Sequence, residues 1–189
     1  MYCKNFLDSL NALWAEECGF DKKTGQCRSE TDGGLNDNPN DKGSITKFGI
    51  SLRFYKGIYP KASKDSIRNL TKEESIQIYW DHFYSNLNYD KINNLELSRK
   101  LFLTAVNMGK NRPNKWIQQI CNDLGSKLIV DGILGKISIE EINRWCDINL
   151  KQIKESFIKC QLDEYDRIIK NDPSQKIFKL GWKKRANKW

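Results

Sequence analysis

Several features are missing from this sequence, and each absence removes a class of function. No run of 18 apolar residues occurs, so no transmembrane helix is expected. The first residues, Met1-Tyr2-Cys3-Lys4-Asn5-Phe6, hold neither an apolar h-region nor a small-residue cleavage site, so no secretory signal peptide is expected. Histidine occurs once, and the six cysteines, at 3, 18, 27, 121, 146 and 160, form no CxxC pair. A zinc site is therefore not expected, and no other cofactor is implied. The scattered thiols suit a reducing cytoplasm, although Cys18 and Cys27 bracket one loop and would be able to pair in an oxidising medium. Only four prolines occur in 189 residues, and no segment is low in complexity beyond a bias to Lys, Asn and Ile, read as an AT-rich genome.

What is present is enough to fold. Hydrophobic residues make up 39% and aromatics 11%, with six Trp, which excludes disorder. The length fits one domain or two small lobes sharing a core. Lys and Arg outnumber Asp and Glu by 32 to 24, a net charge of +8. Such a chain is drawn to polyanions: nucleic acid, anionic lipid, or a cell wall rich in phosphate and carboxylate. The basic residues are dispersed, with no nucleic-acid-binding motif among them, so nucleic acid is not the expected partner.

Phe6, Leu7, Leu10, Leu13 and Trp14 recur at helical spacing and predict a first helix near residues 4–17, stopped by Gly19. Residues 20–47 are rich in Gly, Asn, Asp, Ser and Thr. They read as a long loop with short hairpins near Thr24-Gly25 and Asp32-Gly33-Gly34. A loop of this length inside a compact domain is usually functional. From residue 48 the pattern is helical. Thr71-Lys72-Glu73-Glu74 is a capping box that opens a helix through Tyr84. Further helices are predicted at 96–109, from Pro113 to about 123, near 138–147, across about 150–170, and at 174–186. The fold class is mainly α, with a small β or loop element near the N-terminus.

Positions 6, 10, 13 and 17 lie on one helical face, so Glu17 extends the apolar stripe while Glu16 points about 100° away. A carboxyl on an apolar face is desolvated, and at a helix C-terminus it also meets the negative end of the dipole. Both effects favour the protonated form. A carboxylic acid kept protonated near neutral pH suits glycoside cleavage. The alternative is a surface carboxylate tied to a Lys or Arg. In the loop that follows, Asp41 is placed to stabilise an oxocarbenium-like transition state or orient water, or else to make an Asx turn beside Gly43. Thr46 is placed to hold that water, or to cap the next helix.

The ordered set of motifs resembles glycoside hydrolase family 108, the phage and bacterial muramidases with a C-terminal peptidoglycan-binding-like region. The residues that carry the resemblance run through most of the chain. They are Glu17-Cys18-Gly19-Phe20, Asn38-Pro39-Asn40-Asp41-Lys42-Gly43-Ser44, Thr46-Lys47-Phe48-Gly49-Ile50, Ile78-Tyr79-Trp80, Asn107-Met108-Gly109, Val130-Asp131-Gly132 and Gly181-Trp182-Lys183-Lys184-Arg185. Two departures stand out. Cys18 replaces a glycine, and about fifteen extra residues separate Glu17 from the Asp-rich loop. That insertion carries Glu30 and Asp32-Gly33-Gly34, and Asp32 stands where an uninterrupted motif would place its acid.

The resemblance implies a lysozyme-like α+β fold. It would comprise a catalytic lobe at 4–91 and a helical peptidoglycan-binding-like lobe at 92–187, packed as one compact unit. It implies hydrolysis of the bond between N-acetylmuramic acid and N-acetylglucosamine, with Glu17 as general acid and Asp41 and Thr46 in the second role. Asp32 and Glu30 remain rivals for the acid. A carboxyl separation of about 6.5–9.5 Å would imply inversion, and about 5–5.5 Å retention. Tyr79, Trp80, Tyr84 and Asn107 would line the glycan groove, though Tyr79 and Trp80 equally suit the core. His82 is expected to be structural. The partner is then bacterial peptidoglycan, without stable membrane insertion, and the protein a monomer or a component of a phage particle. It would be released from the host cytoplasm through a holin pore or carried on the virion. Two other readings stand beside this one: a lytic transglycosylase, and a non-catalytic wall-binding or virion structural protein.

Overall fold

The computed structural model describes residues 2–21, 23–37 and 45–189. Asp41 and the rest of its motif from 38 to 44 lie outside the described residues. The chain divides into two compact units, Met1–His82 and Phe83–Trp189.

The first unit opens with helix α1, Lys4–Glu17. Its apolar stripe is buried as the spacing predicts: Phe6, Leu10, Leu13 and Trp14 are all at most 1% exposed. The stripe ends before the acid, however, because Glu17 is exposed. One further turn along the same face carries the helix past the core, so helical phase alone overestimates the burial of a terminal residue.

Residues 20–27 form a closed loop. Asp21 accepts hydrogen bonds at Oδ1 from the backbone N–H groups of Lys23 and Thr24, 2.8 Å each, an Asx turn. Phe20 and Cys27 form an antiparallel bridge above it, close to the predicted Thr24-Gly25 hairpin. The loop then tightens into a 3₁₀ turn, Arg28–Glu30. Asp32-Gly33-Gly34 is a turn and not a second hairpin.

The sheet lies later than expected. Strands β1, Thr46–Lys47, and β2, Ile50–Ser51, pair antiparallel with Lys47 opposite Ile50. Phe48 and Gly49 form the two-residue connection, both with positive φ (53° and 75°), as a tight hairpin whose twist matches its strands requires. Helix therefore begins not at 48 but at α2, Leu52–Ile58. Its cap is Ser51, whose Oγ accepts from Phe54 N at 3.2 Å, so Thr46 does not cap it. Two capping boxes follow, at α3, Lys64–Arg68, and at α4, Lys72–Tyr79, the second being the predicted Thr71/Glu74 pair. The chain then widens into a π-helical turn, Trp80–Tyr84, in place of a regular helix to that point.

The second unit is helical: α5, Leu95–Met108; α6, Asn111–Asp123; α7, Lys136–Asn171; and α8, Lys179–Asn187. The two predicted helices near 138–147 and 150–170 form one run, broken at Asn149, whose backbone leaves the helical region. Asn149 Oδ1 accepts from Gln152 N at 3.2 Å and so caps the second half. Tyr84 and Tyr89 are buried, and their hydroxyls bond Ser98 Oγ and Asn114 Oδ1. The Asp131-Gly132 segment is a turn clamped to α6. Gln118 accepts from Gly132 N at 2.8 Å and donates to Asp131 at 3.0 Å, while Asn114 donates to Gly132 O at 2.9 Å. No helix of the described residues is long and apolar enough to cross a membrane.

Candidate active site

The inserted segment separates Glu17 from the Asp32 turn in sequence, and the fold rejoins them. Arg28 N donates to Gly19 O at 2.9 Å, which closes residues 20–27 into a loop at the end of α1. The next residues then return to that helix end. A Cβ on Gly34 would stand 2.7 Å from Cys18 Cα, so the two backbones touch there. The carbonyl of Gly33 accepts from Phe48 N and from the Cys18 thiol, the latter at 3.6 Å. Burial pushes the Cys18 thiol up to about 12, with Cys27 and Glu17 adding to it, so it stays a neutral donor.

The hairpin closes the arrangement from the other side. A Cβ on Gly49 would meet the Tyr79 hydroxyl at 2.8 Å and Glu17 Cβ at 3.4 Å. Tyr79 is 1% exposed and donates through its hydroxyl to Phe48 O at 3.0 Å. Its phenol is pushed up by burial, then by the Glu17 charge, and keeps its proton. Glu17 thus ends α1 beside Gly49, with the Tyr79 hydroxyl on the same glycine. Sequence reasoning named Tyr79 as a groove or core residue. It did not find the bond from its hydroxyl to the hairpin carbonyl.

The two rival acids have partners of a different kind. Arg28 grips Asp32 through Nε and Nη2, the shortest contact being 2.5 Å, and Gly34 N donates to the same carboxyl at 2.9 Å. The Arg28 hydrogen bond holds Asp32 below the usual carboxylate range. Glu30 pairs with Lys72 at 2.6 Å. Thr46 sits half-buried in β1, and its backbone bonds Asn36 in both directions at 3.0 Å. Trp80 packs edge-on against Tyr2 and Phe6, at 5.4 and 5.1 Å between ring centres. His82 meets the Phe54 ring edge-on. Asn107 belongs to the second unit, where its amide donates to Leu103 O at 3.0 Å. Among the described residues, no three His, Cys, Asp or Glu side chains converge as metal ligands do.

Comparison with known proteins finds two family models that match consecutive parts of the chain. Residues 28–109 match Glycosyl hydrolase 108, and residues 112–187 match a predicted peptidoglycan domain. The chain has the two-part architecture of glycosyl hydrolase 108 followed by a peptidoglycan domain. No curated protein matches its sequence. Among solved structures, SagA of Brucella abortus is similar, at 19% identity and a TM-score of 0.69, over 96% of this chain and 88% of that one. At that identity the likeness concerns the fold, which is lysozyme-like. The match to the glycosyl hydrolase model begins at Arg28 and so contains Glu30 and Asp32 but not Glu17. The structural likeness reaches further back, since the uncovered share is too small to hold all of α1. Together the two domains mark a peptidoglycan-degrading enzyme.

The contact at Gly34 is open to test. Gly34→Ala places a methyl group on the Cys18 backbone at a residue with φ of +63°. The left-handed backbone alone costs about 1–2 kcal/mol. The end of α1 must also move, which displaces Glu17. Gly34→Ala is therefore expected to lower both melting temperature and peptidoglycan-clearing rate. Gly25→Ala, with open space around it, is expected to lower only the former.

Proposed function

We propose that this enzyme is a muramidase that hydrolyses the β-1,4 bond between N-acetylmuramic acid and N-acetylglucosamine, with Glu17 as general acid. The observation that carries the assignment is the place of Glu17 at the end of α1, beside Gly49 and open to solvent. Asp32 is gripped by Arg28 and held ionised, the wrong state for a proton donor near neutral pH, and Glu30 is tied to Lys72. Glu17 ends α1 beside Gly49, and its side chain is exposed. Helix ends anchored in this way hold a catalytic group within the small tolerance that proton transfer requires.

In this reading Glu17 protonates the glycosidic oxygen as the bond to the muramic acid C1 breaks. Asp41 stabilises the developing positive charge or activates the water that replaces the leaving sugar, and Thr46 helps hold that water. Tyr79 is a positioning residue beside the acid, and Trp80 is the candidate glycan contact in the same unit. The enzyme would act as an endolysin released from the host cytoplasm, or as a wall-cutting component of a virion.

The test is product chemistry. Purified peptidoglycan is digested, reduced with borohydride and analysed by mass spectrometry. Muramitol ends are expected. Anhydromuramic ends would make the enzyme a lytic transglycosylase, and reduced glucosamine ends would make it a glucosaminidase.

A further inference from the structure

The second unit contains a cavity that the hydrolytic site does not use. Four helices line it, with a volume of about 200 Å³: Asn107 from α5, Arg112 from α6, Tyr165 and Ile168 from α7, and Trp182 and Arg185 from α8. The Tyr165 and Trp182 rings stack, 4.8 Å between centres and 20° between planes. They rest on an apolar cluster of Met108, Ile168 and Ala186. Arg112 is held in place, donating to Met108 O at 2.6 Å and pairing with Glu164 at 2.9 Å. Glu164 is shared with Arg167 at 2.7 Å, so it does not cancel Arg112 alone.

A larger cavity of about 610 Å³ adjoins the first through Met108 and Arg112, and adds Gly109, Lys110, Asn111 and Lys115. None of the residues lining either cavity is acidic. Their charges sum over Lys110, Arg112, Lys115 and Arg185, and a concave wall focuses such a field. A guanidinium fork binds a carboxylate through two parallel hydrogen bonds, and a flat aromatic pair accepts methyl groups beside it. The smaller cavity has room for one amino-acid-sized group.

We infer that this pocket binds the stem peptide of peptidoglycan, with Arg112 and Arg185 holding a free carboxylate and the Tyr165–Trp182 stack receiving an alanine side chain. The inference rests on the reading of peptidoglycan as substrate, and it assigns to the second unit a task distinct from hydrolysis. The pocket would hold the enzyme on peptide-bearing wall and leave the glycan to the first unit.

The experiment uses the full chain and three ligands: a soluble muramyl tetrapeptide with free carboxylates, the same compound with its carboxylates amidated, and a chitin tetrasaccharide without peptide. Titration calorimetry is expected to show binding of the free-acid form at least about tenfold tighter than either control, the worth of one charge-assisted contact. Arg185→Gln should remove that difference. It should also raise KM for intact peptidoglycan several-fold without changing kcat, and leave cleavage of peptide-stripped glycan as in the wild type. Equal binding of the free-acid and amidated forms by the wild-type protein would overturn the proposal without relying on any variant. So would equal binding of the tetrasaccharide, which would make this a sugar pocket. The muramidase reading fails separately, if peptide-stripped glycan is not cleaved while the tetrapeptide still binds.

Discussion

Glu17→Gln is expected to slow peptidoglycan hydrolysis about a thousandfold, within the range that a positioned general acid contributes. Glutamine has nearly the same shape and cannot release a proton to the leaving oxygen. Because Gln keeps the side-chain shape and Glu17 is exposed at the end of α1, the melting temperature should change little. Asp32→Asn is the paired control. It breaks the ion pair with Arg28 but keeps an oxygen able to accept from Gly34 N. That variant should retain most of its activity, and Glu30→Gln, which loses only the Lys72 pair, should do the same. Initial rates on purified peptidoglycan decide the matter. Full activity in Glu17→Gln with collapse in Asp32→Asn would move the acid to the inserted loop.

The largest effect on stability is expected at Lys100. This lysine is 3% exposed, and its ammonium donates to three backbone carbonyls at the end of α8: Arg185 at 3.1 Å, Ala186 at 2.6 Å and Lys188 at 2.9 Å. It also lies 5.5 Å from the centre of the Trp189 ring. Arg185 O also accepts from Lys188 N at 3.3 Å, and the negative end of the helix dipole is concentrated at this terminus. Lys100→Met keeps the aliphatic stem and deletes the donor. Removal of the buried cation relieves its own desolvation, while the carbonyls lose their charged partner. Since a hydrogen bond to a charged group contributes about 1.5–3 kcal/mol, a net loss near 3 kcal/mol is expected. Urea unfolding measures it, and hydrogen exchange across residues 179–189 should accelerate in the same variant. An unchanged unfolding midpoint would show that the clasp is not stabilising.

The regular parts of the fold were legible because their signals are local. Phe6, Leu10, Leu13 and Trp14 mark a buried face by spacing alone, and Thr71 with Glu74 marks a helix start by hydrogen-bonding capacity. The hairpin at Phe48-Gly49 was not legible. A non-glycine residue at positive φ cannot be read from propensity, and two-residue strands are too short to show alternation. The exposure of Glu17 was misjudged because periodicity gives direction but not where the core ends. The return of Gly34 to Cys18 depends on the closure of residues 20–27, a long-range contact with no sequence period. The order of the motifs was legible in sequence, while the Arg28–Asp32 ion pair, which gives Asp32 its own environment, was not.

The loop of residues 20–27 is closed at its base by Gly19 and Arg28, and its tip is held by Asp21's own turn. Its length is therefore decoupled from the geometry on either side, and added residues in a surface loop cost only a slowly growing closure entropy. For the protein engineer this loop is a port next to Glu17. A substrate-recognition peptide or a reporter spliced between Asp21 and Gln26 would enter beside Glu17, while the Gly19–Arg28 closure holds the base of the loop.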